Sequence, residues 1–404
     1  MSVQSVDDGT TVEERVRGFH IANADLTDPG DLYRSMHARC PVGHSDEAGG
    51  FWVVSRYEDQ MRVLKDPATF SSMYSTVPKM SVPNMLIPLN YDPPDHTAYR
   101  NAFAPWFSPA AVSAVEPAAR ERLQALITTW VDAGGGDFIA PLAVPFPCVT
   151  FLLMLGLPIA DLDRLLAWKD NMVRDLLSND PELMAKVETI HFPALMEYFR
   201  NAIEVRESLQ DRPDDVLTKL VEAKVGGRDM TTDEKIQTLN LLFQAGLDTV
   251  TGTLSFAFDF LARDPDLVSQ IVADPTIVPA AVEELLRRTA IVCLARIAMA
   301  DAVVGGQHVR AGEMVMLPGL AASLDDGQYP DAERIDFHRP SIRHVALGGG
   351  PHRCLGSHLA RMELRVFLEE FVAQVPRFTL DEAAASPPRY GVVSGIDYLP
   401  LVIG

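Results

Sequence analysis

Cysteine is scarce in this chain: four in 404 residues, at Cys40, Cys148, Cys293 and Cys354, with no CxxC pair among them. That excludes a disulfide framework and a cysteine-rich zinc site, and it fits a reducing compartment such as the cytosol. Basic residues are also few, 35 against 55 acidic ones, which leaves a net charge of -20. Such a balance argues against nucleic acid and anionic membrane as partners. Long apolar runs are missing too. The one uncharged stretch, 138–160, is interrupted by Pro141, Pro145, Pro147 and Pro158, so it reads as a buried loop followed by a short core helix and not as a membrane span. Met1 to Arg17 is polar and acidic and resembles neither a signal peptide nor an anchor. No repeat and no Ser-, Gly- or Pro-rich linker divides the chain, so one domain over 1–404 is expected, with a short N-terminal tail over about 1–17.

What is present is mostly helical pattern. Residues 110–133 read as a helix stopped by Gly134-Gly135-Gly136, and 279–288 as another. Thr232-Asp233 is expected to cap one long helix reaching Arg263, apolar on nearly all faces and therefore crossing the interior. Strands are expected at 51–56, in a hairpin over 303–317 and at 390–403. The fold class is mainly α with small β-sheets (α+β).

Four segments carry chemistry. In the first, Gly348, Gly349, Gly350 and Gly356 surround Cys354, ahead of an amphipathic helix over about 355–375. A helix start favours a thiolate, His352 and Arg353 would add positive charge, and glycines let the loop lie close under a planar ligand. Alone, the segment fits a haem ligand and a buried structural thiol equally well. In the second, Ala245-Gly246-Leu247-Asp248-Thr249 places an acid and an alcohol inside an apolar helix. They could relay protons beside a ligand, with the small residues making room for it. Equally, Gly246 could serve helix packing and Thr249 could bond back to an earlier carbonyl. The third is Glu284 and Arg287, one turn apart, which by spacing alone is an ordinary helical ion pair. The fourth starts at Asp92-Pro93-Pro94 and puts His96 and Arg100 on one helix face. With Arg296 and His352 they supply four donors, enough for two carboxylates.

Taken together, Ala245 to Thr249, Glu284 to Arg287, Arg334 within Asp331-Ala332-Glu333-Arg334-Ile335, and Gly348 to Gly356 resemble the cytochrome P-450 family of haem-thiolate monooxygenases. The Asp92-Pro93-Pro94 segment points to its soluble bacterial branch, and Gly246 to Val250, Glu283 to Arg288 and Val393-Ser394-Gly395 are similar to camphor- and terpenoid-type members. The resemblance implies haem b bound through Cys354 as axial iron ligand, with propionates on His96, Arg100, Arg296 and His352. It implies proton delivery through Asp248 and Thr249, and a buried triad of Glu284, Arg287 and Arg334. O2 would be the co-substrate, with electrons passing from NAD(P)H through a reductase and a ferredoxin. The ferredoxin would dock on a proximal face where Arg100, Arg343, Arg353, Arg361 and Arg365 are the candidate cations. Ungapped matching puts Asn84, Leu89, Leu241, Gln244, Val292 and Val393 around the substrate, a pocket suited to a small apolar, terpenoid-like molecule. Leu347 stands where the family's loop usually opens with phenylalanine, and Leu294 where the camphor-type branch has an acid. Two other readings remain: a peroxide-driven or rearranging haem-thiolate enzyme, and a non-catalytic haem sensor or carrier.

Overall fold

In the computed structural model of the protein, residues 10–21, 28–79, 86–177 and 181–404 are described. Their largest sheet has five strands in the order 42–45, 51–54, 314–318, 293–298 and 70–71, with a single parallel pairing, between 51–54 and 314–318. Strand periodicity decides its two faces. Phe51, Val53, Met314 and Met316 enter one apolar cluster, while Val54, Val315 and Leu317 enter another on the opposite face. A third and far larger core lies among the helices.

The expected hairpin over 303–317 is two separate features. Ala302–Val304 pairs with Gln307–Val309 around Gly305 and Gly306, both at positive φ, whereas Met314–Pro318 leaves the hairpin and joins the main sheet. At the C-terminus only Pro400–Ile403 is a strand, and residues near 390 contribute isolated bridges, Arg389 to Gly395 and Val292 to Val393. Residues 110–133 form the helix Pro109–Asp132, capped by Ser108 and followed by Gly134, Gly135 and Gly136 at positive φ. The proline-rich stretch becomes a π-helical turn, Ile139–Ala143, and a buried helix, Pro145–Leu155. Among the described residues, no helix is long and apolar enough to cross a membrane.

The expected long interior helix is two helices, Thr232–Gly246 and Thr249–Arg263. Its cap is Thr231, one residue earlier than expected, because Thr231 and Glu234 close a reciprocal capping box. At the break, Asp248 departs from helical geometry with φ -125°. Side chains take over the carbonyls there: the Thr249 hydroxyl donates to Ala245 O at 2.8 Å, and the Cys148 thiol donates to Leu247 O at 3.4 Å. Burial pushes the Cys148 thiol up to about 12, which keeps it protonated as a donor.

Candidate functional site

Cys354 follows a tight turn, Gly350–His352, and precedes the helix Ser357–Gln374. Its N–H donates to Leu347 O at 2.8 Å, which closes the loop. Leu347, in place of an aromatic residue, packs on the main core. Two glycines have definite reasons. Gly348 holds φ +69°, and a Cβ on Gly350, at φ +62°, would lie 2.2 Å from the Leu64 carbonyl oxygen. The loop is thus seated on the end of the helix Tyr57–Lys65. Cys354 is packed deeply among neighbouring atoms yet keeps exposed surface. Burial raises its pKa, while the Gly356 N–H and then Arg100, Arg361 and Arg353 pull it down. In the protein alone burial wins, so a free thiolate is not the outcome the loop's charges lead one to expect. A bound metal cation would reverse that balance, because coordination deprotonates a thiol outright.

The four predicted donors converge. His96 and His352 stack with ring centroids 3.9 Å apart. Burial, then positive neighbours, lowers His96 to about 4; burial, then His96, Arg296 and Arg100, lowers His352 to about 3. Both rings are therefore neutral near pH 7, and the positive charge expected of His352 is absent. His96 Nδ1 and His352 Nε2 are buried without a hydrogen-bond partner among the described residues. Arg296 is 2% exposed and among the described residues bonds the Ala295 carbonyl alone, at 2.7 Å, and Arg100 donates to Arg353 O at 2.7 Å. Neither guanidinium has an ion pair among the described residues. Two orphaned imidazole nitrogens and two unmatched guanidiniums beside an accessible sulfur fit a planar cofactor with a soft metal and two carboxylates.

Asp248 is tied to Lys169 Nζ at 3.2 Å, across a separation of 79 residues. Nothing in the sequence pattern marks Lys169, because the contact is tertiary. Of the two readings of Gly246, the structure fits packing: a Cβ there would lie 2.6 Å from the Phe151 ring. A buried acid also went unread in the sequence. Glu363, on the helix after Cys354, is 2% exposed, and burial raises its pKa well above the usual carboxylate range.

Glu284 and Arg287 are fully buried and bidentate, at 2.7 and 2.8 Å. The third guanidinium differs from the expected one. Arg339 Nε donates to Glu284 Oε1 at 2.9 Å, whereas Arg334 is exposed and contributes only its carbonyl, which accepts from Arg287 and Arg339. The left-handed Asp331, φ +55°, turns this segment so that its carbonyls face the two guanidiniums.

Two of the five predicted proximal cations are already paired. Arg361 grips Glu283 at 2.5 and 2.9 Å, and Arg365 bonds Glu116 at 2.5 Å and Glu369 at 3.2 Å. Arg343 and Arg353 are exposed and have no ion pair among the described residues. Of the substrate-side residues, Val292 and Val393 face each other in an antiparallel bridge. Leu241 and Gln244 lie one turn apart, with Gln244 donating to Asn240 Oδ1 at 2.9 Å. Leu89 sits in a turn pinned by Asn90, which accepts from Leu86 N and donates to Ser72 O. Asn84 lies outside the described residues.

A family model described as cytochrome P450 matches residues 169–388. A probable cytochrome P450 127A1 of Sinorhizobium fredii is 34% identical, covering 87% of this chain and 83% of that one. Linalool 8-monooxygenase of Pseudomonas putida is 30% identical over 87% of this chain and 90% of its own length. The crystal structure of cytochrome P450 CYP101C1 superposes with a TM-score of 0.87 at 30% identity, covering 96% of this chain and 98% of that one.

Proposed function

The chain belongs to the cytochrome P450 family and is a P450 monooxygenase, and from that premise we propose that it hydroxylates a small apolar, terpenoid-like substrate using O2 and two electrons from a ferredoxin. The observation that carries the reading is the donor cluster: His96 and His352 with orphaned nitrogens, and Arg100 and Arg296 without carboxylates, gathered beside Cys354. Cys354 would ligate the iron, and the four donors would hold the two propionates. Haem bound this way supplies O2 activation, with the thiolate favouring O–O cleavage.

The chain's own residues do the rest. Arg296 and the two neutral imidazoles bind carboxylates without a competing ion pair among the described residues, so the cofactor's orientation is set before substrate enters. Asp248 exchanges its Lys169 partner for water and thereby carries protons to the helix break. Thr249 has committed its own proton to Ala245 O, so its lone pairs accept a hydrogen bond and orient a water there. Leu241, Val292 and Val393 supply apolar surface, and the resemblance to a linalool monooxygenase supports the terpenoid class. One oxygen atom enters a C–H bond; the other leaves as water, with the two electrons and two protons.

The test is turnover of a monoterpenoid panel by holoprotein with NADH, a ferredoxin and its reductase. Hydroxylated product is expected, and Thr249→Ala should lower product per NADH while the substrate-induced haem spin shift persists. An unchanged ratio removes the proton-delivery role. Turnover with peroxide but not with ferredoxin establishes the peroxide-driven alternative.

A further inference from the structure

A cavity of about 440 Å³ opens between the helix Pro29–Arg39, the second half of the interior helix pair, the end of the helix Val278–Thr289 and the loop that carries Tyr390. None of Cys354, His96, Arg100, Arg296, His352, Asp248 or Thr249 borders it, while Val292, one of the substrate-side residues, does. Its volume lies within the ~300–1,000 Å³ usual for small-molecule sites. Phe256, Phe260 and Tyr390 give it aromatic walls.

Its hydrogen-bonding capacity is one-sided. Tyr33 is 1% exposed, and its hydroxyl has no partner among the described residues. Arg288 donates through Nε to Glu333 O at 3.1 Å and lies over the Phe260 ring at 4.7 Å, while its two Nη atoms make no hydrogen bond among the described residues. The acids around the cavity are already engaged by other cations. Asp259 pairs with Arg263 at 2.8 Å, Glu333 with Arg34 at 2.5 Å, and Asp28 with Arg34 at 3.9 Å. Burial, then Arg287, lowers Arg288 to about 10, so it stays charged at neutral pH, half-buried and with no ion pair among the described residues. Unsatisfied buried donors such as the Tyr33 hydroxyl are uncommon in folded proteins.

We propose that this cavity binds a small carboxylic acid with an aromatic or alkyl body, its carboxylate held by Arg288 and Tyr33 and its body lying against Phe256, Phe260 and Tyr390. The planar guanidinium suits a carboxylate, because two parallel N–H donors match its two oxygens. The Tyr33 hydroxyl supplies a further donor, and the aromatic walls remove the ligand's apolar part from water.

The experiment is calorimetric titration of 4-phenylbutyrate into holoprotein whose haem iron is saturated with imidazole, so that binding beside the iron is blocked. One-to-one binding is expected. Arg288→Gln should weaken it roughly tenfold or more, and Tyr33→Phe roughly threefold to tenfold, as expected for a charge-assisted and a neutral hydrogen bond. The neutral 4-phenylbutanamide should bind wild type roughly tenfold more weakly, a comparison that alters no residue. Haem absorption spectra verify that each variant is folded before titration. The proposal is overturned if wild type gives no binding under imidazole, if both variants bind within about twofold of wild type, or if the amide matches the acid.

Discussion

Glu284 accepts four hydrogen bonds: two from Arg287, one from Arg339 Nε and one from the Asp336 N–H. With all three side chains largely or wholly removed from water, losing one cation leaves the carboxylate under-compensated in a low dielectric. Arg339→Ala is therefore expected to cost about 3–5 kcal/mol and to lower haem retention. Arg334→Ala, which removes an exposed side chain and keeps the carbonyl, should stay within about 0.5 kcal/mol. Urea denaturation of the two holoproteins, with haem content measured alongside, separates them; equal losses would return Arg334 to the network. The pair Glu284 and Arg287 was legible from spacing on one helix. The third member was not, because Arg334 and Arg339 share one short segment, and the choice rests on the turn at Asp331, which no spacing rule encodes. Cys354 shows the same limit. Its loop and helix start were readable, but the balance between burial and the surrounding charges depends on tertiary packing.

Among the elements, the interior helix pair departs most from its sequence pattern. Apolar periodicity continues through residues 246–248, so a single helix was the natural expectation. What breaks it comes only partly from its own sequence, through the Thr249 hydroxyl on Ala245 O: a thiol on the helix Pro145–Leu155 takes the Leu247 carbonyl, and Lys169 on the helix Leu162–Leu177 takes the Asp248 carboxylate. Phe151, beside Gly246, fixes the approach of that neighbouring helix. In a solvated helix, Gly→Ala stabilises by about 1 kcal/mol. Here the new Cβ would meet a buried ring at 2.6 Å, so overpacking outweighs propensity, and Gly246→Ala should destabilise the protein by about 1–3 kcal/mol. Phe151→Ala alone should also destabilise, through the cavity it leaves. The double variant should be less damaged than the sum of the two, and additive losses in denaturant midpoints would show that the two sites do not touch.

At the scale of the whole molecule, a net charge of -20 repels an acidic partner, so the ferredoxin we propose as electron donor, where acidic, must find a local reversal of sign. Sequence showed five arginines from which to build one, but not which were available, since the ion pairs that occupy Arg361 and Arg365 reach 78 and 249 residues along the chain. Arg100 is turned inward onto the Arg353 carbonyl. That leaves Arg353, beside Cys354, and Arg343 as the exposed cations among the five without an ion pair among the described residues. Arg353→Glu is expected to slow reduction by an acidic ferredoxin roughly tenfold at low salt, through the encounter rate. Arg365→Gln should change that rate less than about twofold and instead cost up to about 1 kcal/mol of stability, because its charge already serves Glu116 and Glu369. The contrast should fade as salt rises, since the screening length shortens from about 10 Å at 0.1 M to about 3 Å at 1 M. Stopped-flow reduction of the haem across that salt range decides the matter. If Arg353→Glu is reduced as fast as wild type at low salt, or if Arg365→Gln slows equally, docking does not depend on unpaired charge beside the cysteine loop.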